Sequence, residues 1–147
     1  MTRKYQQGRY TVVNKEKYCG TKSEIRYLSS YELQVFKYLD RTPSILLWAA
    51  ENVIVPYFNP LKQRQARYIV DVYIKYRNKN GEIIEELIEI KPYSQTIRPD
   101  KGRKKKSTYE DQMATWITNQ AKWTAAQQYA KERGWKFRIL TEKAIFR

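Results

Sequence analysis

The sequence predicts an α/β sandwich with a mixed central sheet, and three observations carry that prediction. Runs of β-branched, aromatic and alternating residues at 67–75, 85–91 and 135–139 read as strands. A serine-capped helical pattern precedes them, and a long helical pattern from Ser107 to Gly134 separates the last strand from the others. Helices interleaved with strands in this way cover the faces of a sheet instead of closing an all-β fold.

Composition narrows the chemistry. A chain of 147 residues is long enough for one domain with a real core. A formal net charge of +14 and a pI near 9.8 favour a polyanionic partner, most simply nucleic acid. No apolar run approaches membrane-spanning length, and the first residues lack the apolar core of a signal peptide, so no membrane partner is expected. The single Cys19 excludes an internal disulfide and a multi-cysteine zinc site. The absence of histidine removes Ser-His-Asp triads, histidine general bases and nearly all zinc chemistry. Catalysis is left to carboxylates, lysine and a hard metal.

Taken in order, residues 1 to about 28 are polar, basic and tyrosine-rich, with Gly8 and Gly20 as breaks, and read as an irregular basic arm on a domain formed by 29–147. Arg3, Lys4, Arg9, Lys15, Lys17 and Lys22 either contact phosphates or are solvated, while Tyr5, Tyr10 and Tyr18 suit anchoring of the arm to its own domain. Ser29 or Ser30 caps a helix to about Asp40, with Leu33, Phe36 and Leu39 or Asp40 as the buried stripe. Glu32 falls in its first turn, where a glutamate complements the helix dipole or faces a site. A buried strand at 45–49, a turn at Glu51-Asn52 and an edge strand at 53–57, marked by Pro56, follow. Residues 59–66 form a polar, basic loop into the strand 67–75.

That strand carries Asp71, a residue disfavoured in strand interiors. The segment 85–92 alternates so that Leu87, Glu89 and Lys91 share one face and Ile88 and Ile90 the other, until Pro92 stops it. Asn78-Lys79-Asn80-Gly81 joins the two strands as a hairpin. A two-residue turn at Asn80-Gly81 would set Asp71 opposite Ile90. A three-residue loop at 79–81, with Gly81 left-handed, sets it opposite Glu89, and the cost of a lone buried Asp71 selects this register. Two facing carboxylates repel each other unless a divalent cation lies between them.

After Pro92, residues 93–107 contain Arg98, Lys101, Arg103, Lys104, Lys105 and Lys106, either a solvated mobile loop or a flap that contacts DNA phosphates. Ser107-x-x-Glu110 reads as a capping box opening the long helix, and Gly134 closes it. Met113, Trp116, Trp123 and Ala130 are its core stripe; Gln120 and Lys122, at the margin, are candidates to reach the site or plain marginal polar residues. Thr141-Glu142 caps a last short helix.

An acid on the first helix, an aspartate on one strand and Glu-x-Lys on the next resemble the PD-(D/E)xK nuclease superfamily, with Val70-Asp71 where Pro-Asp is frequent. Nearly the whole chain is similar to the head completion nucleases of T-even-type tailed phages. The likeness rests on Lys17-Tyr18-x-Gly20, Ser29-Ser30-Tyr31-Glu32-Leu33, Trp48-x-x-Glu51, Arg67-Tyr68-x-x-Asp71, Leu87-Ile88-Glu89-Ile90-Lys91-Pro92, Asn119-Gln120-Ala121-Lys122-Trp123 and Gly134-Trp135-x-Phe137. The endonuclease subunit of heteromeric transposases is similar more loosely. Departures are Tyr31 for tryptophan, Ala66 for histidine and Val70 for proline; none removes a carboxylate.

The resemblance implies a restriction-endonuclease-like three-layer core and metal-dependent hydrolysis of DNA with little sequence preference, trimming a packaged DNA end. It implies Mg²⁺ or Mn²⁺ held by Asp71, Glu89 and the Ile90 carbonyl, with Glu32 as a further ligand or water-positioning group. Lys91 would act as base, orienter or stabiliser of the transition state. Portal or head-tail connector proteins are the implied partners, and the host cytoplasm during assembly, or the virion, the implied location. The rival reading is a plug that binds DNA ends or the portal without cutting.

Overall fold

The computed structural model describes residues 7–145. Its centre is a four-stranded sheet in the order β3 (Ile45–Ala50), β6 (Val72–Arg77), β7 (Ile83–Ile90), β8 (Lys136–Leu140). The first three strands are antiparallel, and β8 runs parallel to β7, so the sheet is mixed as expected. Parallel pairing needs a long crossover, and the connection between β7 and β8 contains the 27-residue helix α2 (Lys106–Glu132). Among the described residues no helix is long and apolar enough to cross a membrane.

The two faces of the sheet carry different layers. Ile74, Ile88 and Ile90 point to one side, with Trp48 and Val72, and meet Val35, Phe36 and Leu39 of helix α1 (Ser30–Arg41). Leu87 points to the other, where Trp123, Ala126 and Ala130 of α2 cover it. This second layer also holds an antiparallel ribbon, β4 (Ile54–Asn59) with β5 (Arg64–Ile69), whose inner residues Val55, Tyr57 and Tyr68 pack on α2. The final short helix, α3 (Glu142–Ile145), lies against α1.

Helix termini follow local chemistry. The Ser29 hydroxyl accepts from the Glu32 N–H, so α1 begins where expected. At the far end of α2, Gly134 adopts φ +75°, the Gly134 N–H donates to the Lys131 carbonyl and the Trp135 N–H to that of Ala130, a Schellman closure.

Four expectations are corrected. Residues 7–28 are not an irregular arm: β1 (Gly8–Thr11) pairs with β2 (Glu24–Tyr27), and Tyr10, Val12 and Ile25 are buried in the α1 core cluster. Alternation there is short and masked by basic residues, so only packing reveals it; Arg3, Lys4 and Tyr5 lie outside the described residues. The loop expected at 59–66 is a tight turn, since β5 already starts at Arg64. The single strand expected at 67–75 is two strands, broken between Ile69 and Val72. At the break the Val70 N–H donates to the Val53 carbonyl and the Glu51 N–H to the Asp71 carbonyl, so the β3–β4 turn grips the chain as it crosses from ribbon to sheet. Finally, α2 opens one residue before Ser107, with Lys105 as N-cap and no side-chain cap, so Ser107 is inside the helix and not its cap.

Lys17 is not a free phosphate contact either. Its ammonium donates to the carbonyls of Leu39, Asp40 and Thr42 and closes the C-terminus of α1.

Candidate active site

The hairpin register sets the site. Val72 pairs with Ile88 and Tyr73 with Leu87, which continues to Asp71 opposite Glu89. The loop is the three-residue one, with Gly81 at φ +82° and the Gly81 N–H donating to the Asn78 carbonyl. Asp71 and Glu89 therefore stand together on the α2 face, just where the chain leaves the ribbon.

Neither carboxylate is loosely held. Asp71 Oδ2 accepts from the Ile90 N–H at 2.7 Å. Glu89, only 4% exposed, accepts at Oε2 from the Trp123 indole N–H at 3.1 Å. Burial raises the Asp71 carboxyl well above the ordinary carboxylate range. The charge of Glu89 and a side-chain hydrogen bond between the two carboxyls add to this, and the Ile90 N–H opposes it. Tyr68 is buried beside the pair, and its hydroxyl is raised by burial first and then by the charges of Glu89 and Asp71.

Around this pair the other candidates divide. Glu32 projects from the first turn of α1, where its Oε1 accepts from the Leu28 N–H at 3.1 Å. Its carboxyl is raised by burial, against that hydrogen bond, and it feels Glu51, Lys91 and Glu89. Glu32 thus caps its helix and faces the site at once. Lys91 follows Glu89 on the same edge of β7, tied by its backbone N–H to the Leu140 carbonyl at 3.0 Å. Lys122 lies over the rings of Tyr68 at 5.6 Å and Tyr57 at 6.0 Å, one residue removed from the acids, whereas among the described residues no hydrogen bond joins Gln120 to them.

The basic segment is less free than its composition suggests. The Arg98 guanidinium covers the Trp116 ring at 5.7 Å. Lys101 donates to the Lys104 carbonyl and Lys104 to Gln112 Oε1, so both tie the segment to itself or to α2. Arg103, Lys105 and Lys106 are exposed, the last two at the N-terminus of α2.

Sequence reading passes over Trp123, Tyr68 and Glu51 as parts of this site. It places Trp123 in the core, and the residue is buried there, but its N–H serves Glu89 from 34 residues away. Glu51 has a local signal only in the turn it occupies; its φ of +48° is a strained backbone for a glutamate.

Among the described residues no three acid or cysteine side chains converge closely enough to ring a metal by themselves. The donor set is instead a facing pair of carboxylates, oxygen only, beside an ammonium and two further acids. Such a set fits a hard cation of the Mg²⁺ type, which binds through one or two carboxylates and takes its other ligands from water and substrate phosphate.

Comparison with known proteins gives the family of the chain. The chain is 37% identical over 142 residues to a protein of Enterobacteria phage T4 named head completion nuclease, covering 94% of this chain and 92% of that one. Residues 42–142 match the family model described as TnsA-like endonuclease N terminal, and the chain belongs to that endonuclease family.

Proposed function

We propose that this protein hydrolyses DNA phosphodiesters with a divalent cation and processes the packaged DNA end while the phage head is completed in the host cell. The observation that carries the reading is the register-matched pair of half-buried Asp71 and buried Glu89 in a protein of formal net charge +14 on a restriction-endonuclease-like core. Burying two like charges side by side is costly, and a cation between them removes the cost.

Asp71, Glu89 and the Ile90 carbonyl would hold Mg²⁺ or Mn²⁺, with Glu32 placed for an outer or second position. When bound, the cation would neutralise charge on the phosphate and lower the pKa of a water. The protein supplies the rest. The Ile90 N–H and the Trp123 indole each fix one carboxylate oxygen, so the pair is oriented before substrate arrives. Lys91 offers an ammonium at the strand end, to orient or deprotonate the attacking water or to stabilise charge on the phosphate. Arg103, Lys105 and Lys106 suit the DNA backbone, because cations at a helix N-terminus oppose its dipole and gain from a phosphate partner there. The head completion role rests on the name of the phage T4 relative, and portal or connector proteins are the partners proposed with it.

The test is conversion of supercoiled plasmid with Mg²⁺ and with chelator. Nicked or linear products should form only with the metal, and Lys91→Ala should lose them while DNA affinity falls less than about tenfold, since one lysine is a small part of the basic surface. Intact plasmid under all conditions would overturn the reading.

Trp123→Phe isolates the orienting hydrogen bond. It keeps most of the packing, so stability should fall only about 1–2 kcal/mol, while the cleavage rate should drop about 10–100-fold. A wild-type rate in single-turnover assays would show that Glu89 needs no such partner.

A further inference from the structure

One cleft is not used by the chemistry above. It lies between the segment after Lys91 and the first half of α2, has a volume of about 580 Å³, and is lined by Arg98, Trp116 and Asn119 among others. That volume is in the range of small-ligand sites. It is also next to the acids: Asn119 precedes Trp123 by four residues on α2, one turn or about 6 Å along the axis.

Two donors behind its wall are unpaired. Asn119 is only 5% exposed, and its Nδ2 has no hydrogen-bond partner; the Trp116 Nε1 is likewise buried without one. Each such group costs roughly 1–3 kcal/mol unless something accepts from it. Neither is reached from the cleft, so the other lining residues decide what it suits. Asp100 and Asp111 offset Arg98 and Lys104, and Lys104 is already committed to Gln112, so the cleft does not suit a bare phosphate. Ile97, Pro99 and the Trp116 ring give it apolar walls, and Arg98 lies across that ring. Apolar walls and a guanidinium lying on an indole together suit a flat heterocycle.

We propose that this cleft receives one unpaired nucleobase of the DNA, beside the phosphate held at Asp71 and Glu89. The proposal rests on the nuclease reading for its substrate and adds a specificity to it. A base in an intact duplex must be unstacked and unpaired before it can enter, at a cost of a few kcal/mol, so DNA with frayed ends, flaps or single-stranded tails is the preferred substrate. Arg98 and Trp116 would form the stacking wall.

Binding measured by fluorescence anisotropy in chelator, where nothing is cut, tests this. The probes are a blunt duplex, the same duplex with a few unpaired nucleotides at one end, and that tail with its bases removed. The native protein should bind the tailed duplex about tenfold tighter than the blunt one, the worth of one stacked base, and the abasic tail should lose this preference. Arg98→Ala and Trp116→Leu should also lose it, the lost cation of Arg98→Ala weakening tailed and blunt duplex alike; Arg98 is exposed, so its variant tests the point even if the Trp116 variant folds poorly. Equal affinity for tailed and blunt DNA, a preference that survives in Arg98→Ala, or one kept by the abasic tail would overturn the proposal. Plasmid cleavage assayed in parallel separates the two ideas. Cleavage without the preference removes the pocket alone, and the preference without cleavage removes the nuclease reading alone.

Discussion

Glu89→Gln and Asp71→Asn should each reduce DNA cleavage by at least about a thousandfold, roughly 4 kcal/mol of barrier, and each should make the metal-free protein more stable. Both effects come from one cause. On the proposed reading the pair holds a cation, and without it two carboxyl groups crowd each other away from solvent. Asp71 has a raised carboxyl in the folded state, for which burial is the largest cause and Glu89 the next. A raised folded value means that its contribution to stability is complete below the unfolded value, near 3.8, and is lost as pH rises through the folded value. In chelator, therefore, the protein should lose stability as pH rises from about 4 towards neutrality, and Asp71→Asn should flatten that slope. The amide oxygen of the substituted asparagine can still accept from the Ile90 N–H, so little is lost in exchange. At neutral pH the gain should be about 1–2 kcal/mol, seen as a rise of roughly 3–8 °C in Tm. Wild-type cleavage by either purified variant would show that these acids do not carry the reaction; an unchanged Tm would show that their repulsion is relieved by other means.

Asp40→Ala should be the most destabilising single change away from the site, by about 3–5 kcal/mol. Asp40 is fully buried at the end of α1, where its carboxylate accepts from the Tyr10 hydroxyl at 2.5 Å and from the N–H groups of Val13 and Asn14 at 2.8 and 3.0 Å. Asn14 Nδ2 and Lys17 return the contact by donating to the Asp40 carbonyl. Truncation leaves three donors without this partner, the hydroxyl of buried Tyr10 among them, and loosens residues 7–28 from the core. Burial by itself would raise this carboxyl, but the Tyr10 hydroxyl, the two N–H groups and the Lys17 ammonium outweigh it and leave it lowered. The same contact pushes the Tyr10 hydroxyl up to about 12, with burial the largest cause. A lowered folded value means stability that is present above the unfolded value of 3.8 and lost as pH falls through the folded one. Asp40 thus sets an acid limit, whereas Asp71 acts on the other side of the same reference. Urea unfolding of Asp40→Ala checks the magnitude, and the cleavage rate per folded molecule should stay near wild type, because Asp40 lies two turns, about 12 Å, from Glu32 along α1. A loss below about 1 kcal/mol would mean that the N-terminal strands are held by packing alone.

These two aspartates also show how far the sequence reaches. Features governed by neighbours in the chain were legible in it. Ser29 caps α1 because a hydroxyl three residues before an amide can reach it, and Gly134 ends α2 because only glycine takes that φ without strain. The three-residue loop at 79–81 sets the hairpin, and a period of two then carries its register seven residues from the Asn78–Glu82 pair to bring Asp71 opposite Glu89. The family resemblance added a fold and a chemistry to that pair, and the family match bears out both the fold and the nuclease class.

Tertiary structure alone decided which polar groups meet across long separations. Nothing local in Trp123 distinguishes a core tryptophan from one that donates to Glu89, because the difference depends on the angle at which α2 crosses β7. Nothing local in Lys17 or Asp40 shows that a basic, tyrosine-rich segment folds back to bind the end of α1, since their contacts span 22 to 30 residues. The break at Val70-Asp71 is of the same kind: strand formers flank Asp71 on both sides, and the carbonyl of Val53 and the N–H of Glu51 hold the chain where it turns. Short-range sterics and periodicity act within a few residues and are written in them. Pairing of buried polar groups depends on where whole elements pack, so it is settled only when the core forms.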